Sequence, residues 1–222
     1  MMKYLNSRNN LIIMMEYKST QNNYNLAVDW HTQKSLSYNW HNQIEKFAKT
    51  LHGKIVLDAG CGGGRDIPAF LKKGYQVEGI DFSSETIKRC REQFPEAKFF
   101  DGDIRKMDLP DKKYDGLWAS ASILNLKKAD VPKALSEFKR VLKKGGTLYI
   151  SVKEGSGQKM IPDQAGKRLF SFFSENELAE LVIKTGFKIL YKEVITDATL
   201  TGKLVTPPSP NWICVYATKE KR

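Results

Sequence analysis

Short apolar runs alternate with stretches of helical periodicity from residue 54 to the end of the chain. Lys54-Ile55-Val56-Leu57-Asp58 is a β-type run, followed by a glycine cluster and a helical stretch through Phe70 to Lys73. Gln76-Val77-Glu78-Gly79-Ile80 reads as a second strand, and Ser83-Ser84 caps a helix reaching Phe94. Lys98-Phe99-Phe100 is a brief third strand and Tyr114 to Ser120 a fourth. Val131 to Leu142 is a helix closed by Lys144-Gly145-Gly146, where glycine takes the left-handed cap. Thr147 to Val152 is a fifth strand. Glu175 to Thr185 is a helix with Ser174 as its cap and Gly186 as its stop, and Lys188 to Val194 and Trp212 to Thr218 are two final strands. Upstream, Tyr24 to Leu51 reads as two helices; Ser37 caps the second, on which Trp40, Ile44, Phe47 and Leu51 recur at helical spacing.

Strands separated by single helices imply parallel pairing with right-handed crossovers. The last two strands have no helix between them, so they form a hairpin and one of them runs antiparallel to the rest. The expected fold is α/β: a doubly wound seven-stranded sheet, mostly parallel, with an antiparallel final hairpin strand. In such sheets ligands sit beyond the carboxyl ends of the strands.

Length and composition narrow the class. The chain has 222 residues, 41% hydrophobic and 27% charged, which fits one globular domain. We expect residues 1–19 to be a flexible N-terminal extension, polar and Asn-rich, with Met14-Met15 a second plausible start. Residues 20–222 form the domain: a helical lid at 20–52 and a core at 53–222. The five residues Leu11 to Met15 are too short for a membrane span or a signal-peptide core, so no membrane partner is expected and the cytoplasm is the default location. Cys61, Cys90 and Cys214 are odd in number and widely spaced, and the three histidines form no HxxxH or HExxH pattern, so no metal site is expected. The formal charge of +11 admits nucleic acid as a partner, but the lysines are scattered as on a solvated surface.

The chemistry gathers after the first strand, in Asp58-Ala59-Gly60-Cys61-Gly62-Gly63-Gly64-Arg65-Asp66. A GxGxxG dinucleotide fingerprint starting at Gly60 needs glycine at position 65, where Arg65 stands, and no GK[ST] follows. Asp58 at the strand end suits an ammonium better than a pyrophosphate. Asp81, 21 residues after Gly60, suits ribose hydroxyls, and Phe82 a base. Asp103 could accept from an adenine amino group while the Ile104 N–H donates to a ring nitrogen. Each residue has a plain alternative: Asp58 caps a turn, Asp81 caps the next helix, Phe82 is core, and Asp103 is a turn carboxylate with Asp101 its rival. The ligand outlined has an ammonium, a ribose, an adenine and no phosphate.

These segments, VLDAGCGGGRD (56–66), YQVEGIDFS (75–83), FFDGDIRKMDLP (99–110), YDGLWASASILNL (114–126) and FKRVLKKGGTLYISVKEG (138–155), resemble the class I S-adenosylmethionine-dependent methyltransferases over about residues 24–218. Within that family the chain is similar to small bacterial and archaeal members with an "LLHL"-like segment after the fourth strand. The resemblance implies a Rossmann-like sheet with a reversed final strand and S-adenosylmethionine as cofactor, leaving as S-adenosylhomocysteine. It implies that Asp58 places the methionine part, that Gly60, Cys61 and Gly62 touch it by backbone, and that Asp81 and Phe82 hold the ribose and flank the adenine. Asp103 and Ile104 then read the adenine edge, and the Ala119 carbonyl meets the ammonium. At Asn125, where relatives often carry histidine, the general base is missing.

The expected activity is methyl transfer, most simply to a small molecule, by a monomer or homodimer. The alternatives are an RNA (tRNA) or protein methyltransferase, favoured by charge, or a non-catalytic cofactor-binding module. Trp118-Ala119-Ser120-Ala121-Ser122 replaces the Asn/Asp-Pro-Pro-aromatic motif associated with nucleic-acid amino methylation, and Pro207-Pro208 falls far downstream. His31 and His41, beside the aromatics of the first helices, are the candidate general bases, and the segments 154–173 and 197–212 the candidate loops around the acceptor.

Overall fold

In a computed structural model, which describes residues 15–203 and 209–220, the strand that leads into the glycine cluster lies inside the sheet, third of its seven strands. This strand, β1 (Ile55–Ala59), is buried along Val56–Ala59 because neighbours cover both its edges and helices cover both its faces. β2 (Gln76–Asp81), β3 (Lys98–Asp101), β4 (Tyr114–Ser120) and β5 (Leu142–Lys153) complete the parallel part. β6 (Gln158–Asp163) and β7 (Gly166–Ser171) form a separate antiparallel hairpin. β8 (Phe187–Ile195) and β9 (Trp212–Lys219) close the main sheet in the order β3-β2-β1-β4-β5-β9-β8. β9 runs antiparallel to both β5 and β8, so the reversed strand is the last in sequence but not the last in space. The register Asp58↔Gly79, Asp58↔Trp118 and Asp81↔Asp101 aligns the strand tips, which brings the motif carboxylates to one edge of the sheet.

The helices follow their capping chemistry. In α5 (Ser84–Gln93) the Ser83 hydroxyl accepts from the Thr86 N–H, and in α7 (Glu175–Lys184) the Ser174 hydroxyl accepts from the Glu177 N–H. In α6 (Val131–Val141) Val131, Ala134, Leu135, Phe138 and Val141 are buried at helical spacing. Beneath the site, Trp118 stacks on Tyr149 with ring centroids 3.8 Å apart. Phe47 of α3 (His41–Lys49) and Phe70 of α4 (Ile67–Lys72) pack against the Trp118 ring.

Four local expectations need correction. The two helices expected over Tyr24–Leu51 are α2 (Val28–Leu36) and α3, but a further helix, α1 (15–26), leads into them. The break falls at Ala27, whose φ of −122° leaves the helical range. Residues 15–19 of the expected extension are therefore helical, while 1–14 lie outside the described residues. Ser37 does not cap α3; its hydroxyl donates to the Lys34 carbonyl, and Asn39 Oδ1 accepts from the His41 N–H at 2.9 Å instead. Third, α6 stops at Val141 because Leu142 is already extended, so Gly145, at φ 78°, bends β5 rather than capping the helix. Fourth, 154–173 is no plain loop but contains the β6–β7 hairpin. α8 (Asp197–Thr201) interrupts 197–212, and Pro207 and Pro208 lie outside the described residues.

Candidate functional site

Two adjoining cavities open at the carboxyl edge of β1, β2 and β4, and they share Tyr24, Gly60, Gly62 and Ala121. The first, about 420 Å³, is lined by Asp81, Phe82, Asp103, Ile104 and Arg105, and roofed from α1 by Tyr17 and Gln21. The second, about 300 Å³, holds Asp58, Arg65, His31, Lys34 and Arg168, with the rings of Phe170 and Trp212.

The shared loop is shaped by its glycines. Gly60 has φ 79°, and a Cβ there would run into the Ser122 side chain. Gly62, at φ 50°, faces open space, so its missing side chain is room in the cavity itself. The loop N–H groups are spent inside the protein: Gly60 and Cys61 both donate to the Ile80 carbonyl, at 2.7 and 3.1 Å, and Gly62 donates to Asp81 Oδ2 at 2.9 Å. What remains for a ligand along Gly60–Gly62 is close approach, not donated N–H groups.

Asp81 does two jobs at once. Its Oδ1 accepts from the Ser83 N–H at 3.0 Å, at the entry to α5, while its Oδ2 pins the glycine loop. Each carboxylate oxygen keeps a second lone pair for a hydroxyl. Burial pushes this carboxyl up to about 6. Phe82 is half-buried with its carbonyl held by the Gln21 amide at 2.6 Å and its ring edge-on to Tyr24.

Asp58 is the less satisfied carboxylate. It is 3% exposed and makes no side-chain hydrogen bond among the described residues. Burial pushes its carboxyl well above the usual carboxylate range, and nearby Asp66 adds to the rise while Arg65 opposes it. A group in that state is stabilised by a cation. Arg65 lines the same cavity; its Nη2 donates to Asp66 Oδ2 at 2.5 Å and to Ser120 Oγ at 2.8 Å. Sequence reasoning used Arg65 only to reject a dinucleotide motif. Its place seven residues beyond Asp58, at a strand-to-helix junction, puts an opposite charge in the same cavity.

The remaining candidates divide. Ile104 lines the first cavity, and its N–H meets no acceptor among the described residues. Asp103 also lines it, but its carboxylate is forked onto Arg105, which lies 3.9 Å from the Tyr17 ring centroid. Ala119 is fully buried within β4 and lines neither cavity; the wall there belongs to Ser120 and Ala121, the latter at φ 57°. His31 lines the second cavity, stacked on Tyr24 at 4.4 Å. Its Nε2 accepts from the Asn23 amide at 2.7 Å, with the Asn23 carbonyl facing the N–H groups of Ala165 and Gly166. Burial, then Arg168, pushes the His31 imidazole down to about 4. His41 is exposed, faces Glu45 at 3.5 Å and lines neither cavity. Asn125 is structural: it accepts from the Tyr24 hydroxyl and donates to the Leu169 carbonyl. Among the described residues no group of three or more His, Cys, Asp or Glu is placed to hold a metal ion, and no helix is long and apolar enough to cross a membrane.

Known proteins are similar to this chain. Residues 57–150 match a family described as a methyltransferase domain. A demethylmenaquinone methyltransferase of Chlorobaculum tepidum is 32% identical over 62% of this chain and 55% of its own length. A malonyl-[acyl-carrier protein] O-methyltransferase of Erwinia pyrifoliae is 30% identical over 54% and 48%. The chain thus spans about half the length of these curated relatives. In three dimensions it is similar to the 1,6-didemethyltoxoflavin-N1-methyltransferase of Burkholderia thailandensis, solved with 1,6-didemethyltoxoflavin and S-adenosylhomocysteine, at a TM-score of 0.65 and 20% identity over 97% of this chain and 90% of that one. The segment 57–150, which holds the glycine loop, is thus similar to a methyltransferase domain, and the seven-stranded sheet with its reversed β9 has the fold of solved methyltransferases.

Proposed function

We propose that the protein transfers a methyl group from S-adenosylmethionine to a small-molecule acceptor. The observation that carries this reading is the buried, unpartnered Asp58 carboxylate beside Arg65, at the junction of two cavities that meet over Gly60 and Gly62. A carboxylate and a guanidinium in one pocket match the ammonium and carboxylate of an amino acid. The room over Gly62 and the acceptors on Asp81 match a nucleoside beyond it.

When bound, the cofactor supplies a sulfonium-activated methyl group. Asp58 holds the ammonium end and is itself relieved of its isolation, while Arg65 faces the carboxylate. Asp81 accepts from the ribose hydroxyls while its backbone bonds keep the loop and α5 in register. Phe82 flanks the adenine and the Ile104 N–H donates to its ring. Asp103 reaches the adenine amino group when Arg105 shares or releases it. Cys61 adds only backbone and buried volume. Ser120 and Ala121 take the place intended for Ala119 on the wall.

The second cavity takes the acceptor. Effective molarity from alignment alone contributes on the order of 7–11 kcal/mol, so the reaction does not depend on a strong base. His31 is neutral at pH 7 but its Nε2 is occupied by Asn23, and we assign it a positioning role through Tyr24. α1, α2 and the β6–β7 hairpin form the cover, tied by Ser19 to the Lys167 carbonyl and by the Leu169 N–H to Thr20. Demethylmenaquinone, malonyl-[acyl-carrier protein] and 1,6-didemethyltoxoflavin figure in the names of the similar proteins, and the first and last support a small acceptor.

Calorimetry with S-adenosylhomocysteine and labelled methyl transfer into fractions of a cell extract test the reading. Binding with label in the small-molecule fraction is expected. Label confined to RNA or protein sinks the acceptor class, and absence of binding sinks the whole.

A further inference from the structure

We propose that the acceptor is an aromatic carboxylate of about one ring, its anion held between Lys34 and Arg168. The inference rests on the methyl-transfer reading and names the substrate class of that site.

Four cations line the second cavity: Lys34, Arg65, Lys153 and Arg168. Two are already committed: Arg65 gives Nε and Nη2 to Asp66 and Ser120, with its remaining Nη1 left for the cofactor's carboxylate, and the Lys153 ammonium directs its three donors to Asp197 Oδ1, Ser209 Oγ and the Pro210 carbonyl. The other two keep unused donors. Arg168 is buried, with Nε on Asp163 and Nη1 on the Tyr24 hydroxyl at 2.5 Å, yet its Nη2 meets no acceptor among the described residues. The Lys34 ammonium forms no hydrogen bond or ion pair among the described residues and lies 4.3 Å from the Trp30 ring centroid. The acids nearest in charge to Lys34 are Asp163 and Asp197, and each is already paired. Lys34 is exposed at the cavity rim, and partial desolvation together with the Arg168 charge lowers the pKa of its ammonium, an effect that an incoming anion offsets.

The walls specify the rest of the molecule. The Arg168 guanidinium lies about equally far from the Tyr24 and Phe170 rings, 5.0 and 4.9 Å from their centroids. Tyr38 and Trp212 meet edge to face at 5.9 Å on the same cavity. Aromatic faces beside a flat guanidinium favour a flat ligand whose carboxylate lies in the ring plane. Size limits it, since a 300 Å³ cavity stands at the bottom of the about 300–1,000 Å³ range of ligand pockets and must also take the cofactor's amino-acid end.

The test titrates the full chain, saturated with S-adenosylhomocysteine, with salicylate, para-hydroxybenzoate and protocatechuate, each beside its carboxamide. Tryptophan fluorescence reports binding in wild type and in Lys34→Met, which keeps the apolar stem. At least one carboxylate is expected to bind ten-fold or more tightly than its carboxamide, and Lys34→Met is expected to erase most of that preference. No binding by any carboxylate, equal affinities within each pair, or an undiminished preference in Lys34→Met overturns the inference. Saturation with S-adenosylhomocysteine is itself measured first; its failure overturns the methyl-transfer reading and this inference with it.

Discussion

Gly62 and Asp81, 19 residues apart in sequence, are joined by a hydrogen bond in which the Gly62 N–H donates to Asp81 Oδ2 at 2.9 Å. The bond couples the glycine loop to the tip of β2, so the protonation state of one carboxyl governs the shape of the loop. Asp81 is pushed up to about 6 by burial, above its ordinary value near 3.8. The folded state therefore holds the proton more tightly than the unfolded chain does. Its contribution favours the fold most below about pH 4 and is lost as pH rises through about 6. Ligand affinity runs the other way, because only the carboxylate can accept from the loop and from two hydroxyls together. S-adenosylhomocysteine affinity is expected to be flat above pH 7 and to fall several-fold by pH 5, measured by calorimetry. Asp81→Ala is expected to bind at least ten-fold more weakly and to lose this pH dependence. A wild-type affinity unchanged between pH 7 and 5 contradicts the role.

Gly60 and Gly62 separate folding from binding. Gly60→Ala places a methyl group into the Ser122 side chain at a positive φ, so it should cost about 2–4 kcal/mol of stability, read by denaturant unfolding. Gly62→Ala meets nothing, so only its φ of 50° costs, on the order of 1 kcal/mol. Its methyl group enters the cavity instead. The variant is expected to stay folded while losing ten-fold or more in S-adenosylhomocysteine affinity. Equal affinity in Gly62→Ala would mean that the ligand does not pass over the loop.

The difference between those glycines shows what could be read from sequence. Strand tips and their carboxylates were legible because apolar runs fix the strands, and parallel register then brings Asp58, Asp81 and Asp103 to one edge. The reversed last strand was legible from a missing helix. The β6–β7 hairpin was not: its strands are polar, β6 carries Pro162, and the two-residue connection Gln164-Ala165 lacks the usual Asn-Gly signal. Its contacts with α1 are all long-range. Partnerships were equally hidden. Nothing in DGDIR says that Arg105 folds back on Asp103, and nothing in the spacing of His31 and His41 says that one faces a cavity and the other water.

Those two histidines give a third expectation. His41 is exposed and outside both cavities, so His41→Ala should leave methyl transfer within about two-fold of wild type, in the range of surface substitutions. His31 is held down to about 4, below its ordinary 6.5. The unfolded chain binds the proton more tightly in that window. The stability that His31 contributes is therefore full above about pH 6.5 and lost as pH falls toward 4. His31→Gln is expected to flatten that acid slope in thermal melts at pH 7, 6 and 5. Because the imidazole is already neutral near pH 7, it imposes no change of rate between pH 6 and 8. A wild-type kcat that rises through pH 6.5 and a His31→Gln variant without that rise would restore His31 as the base.

Arg65 gives the last expectation, and it separates structure from binding. The guanidinium is buried against Asp66, which also accepts from the Trp118 Nε1 at 2.8 Å. Arg65→Met strands the Asp66 charge in the core, and breaking a buried pair in this way costs about 3–5 kcal/mol. Arg65→Lys keeps the charge but not the fork, so the fold survives at a smaller cost. If Arg65 serves only Asp66 and Ser120, Arg65→Lys changes the melting temperature and leaves S-adenosylhomocysteine affinity alone. If it also faces the ligand carboxylate, affinity falls by about ten-fold or more, in line with the about 1.5–3 kcal/mol of a hydrogen bond to a charged group. The two roles part further with a truncated ligand. 5′-Methylthioadenosine has no carboxylate or ammonium, so it should bind Arg65→Lys, Asp58→Asn and wild type equally. The difference between the two ligands in each variant isolates what the amino-acid end contributes. Loss of affinity for both ligands alike in Arg65→Lys would assign the residue to loop structure and remove it from the binding site.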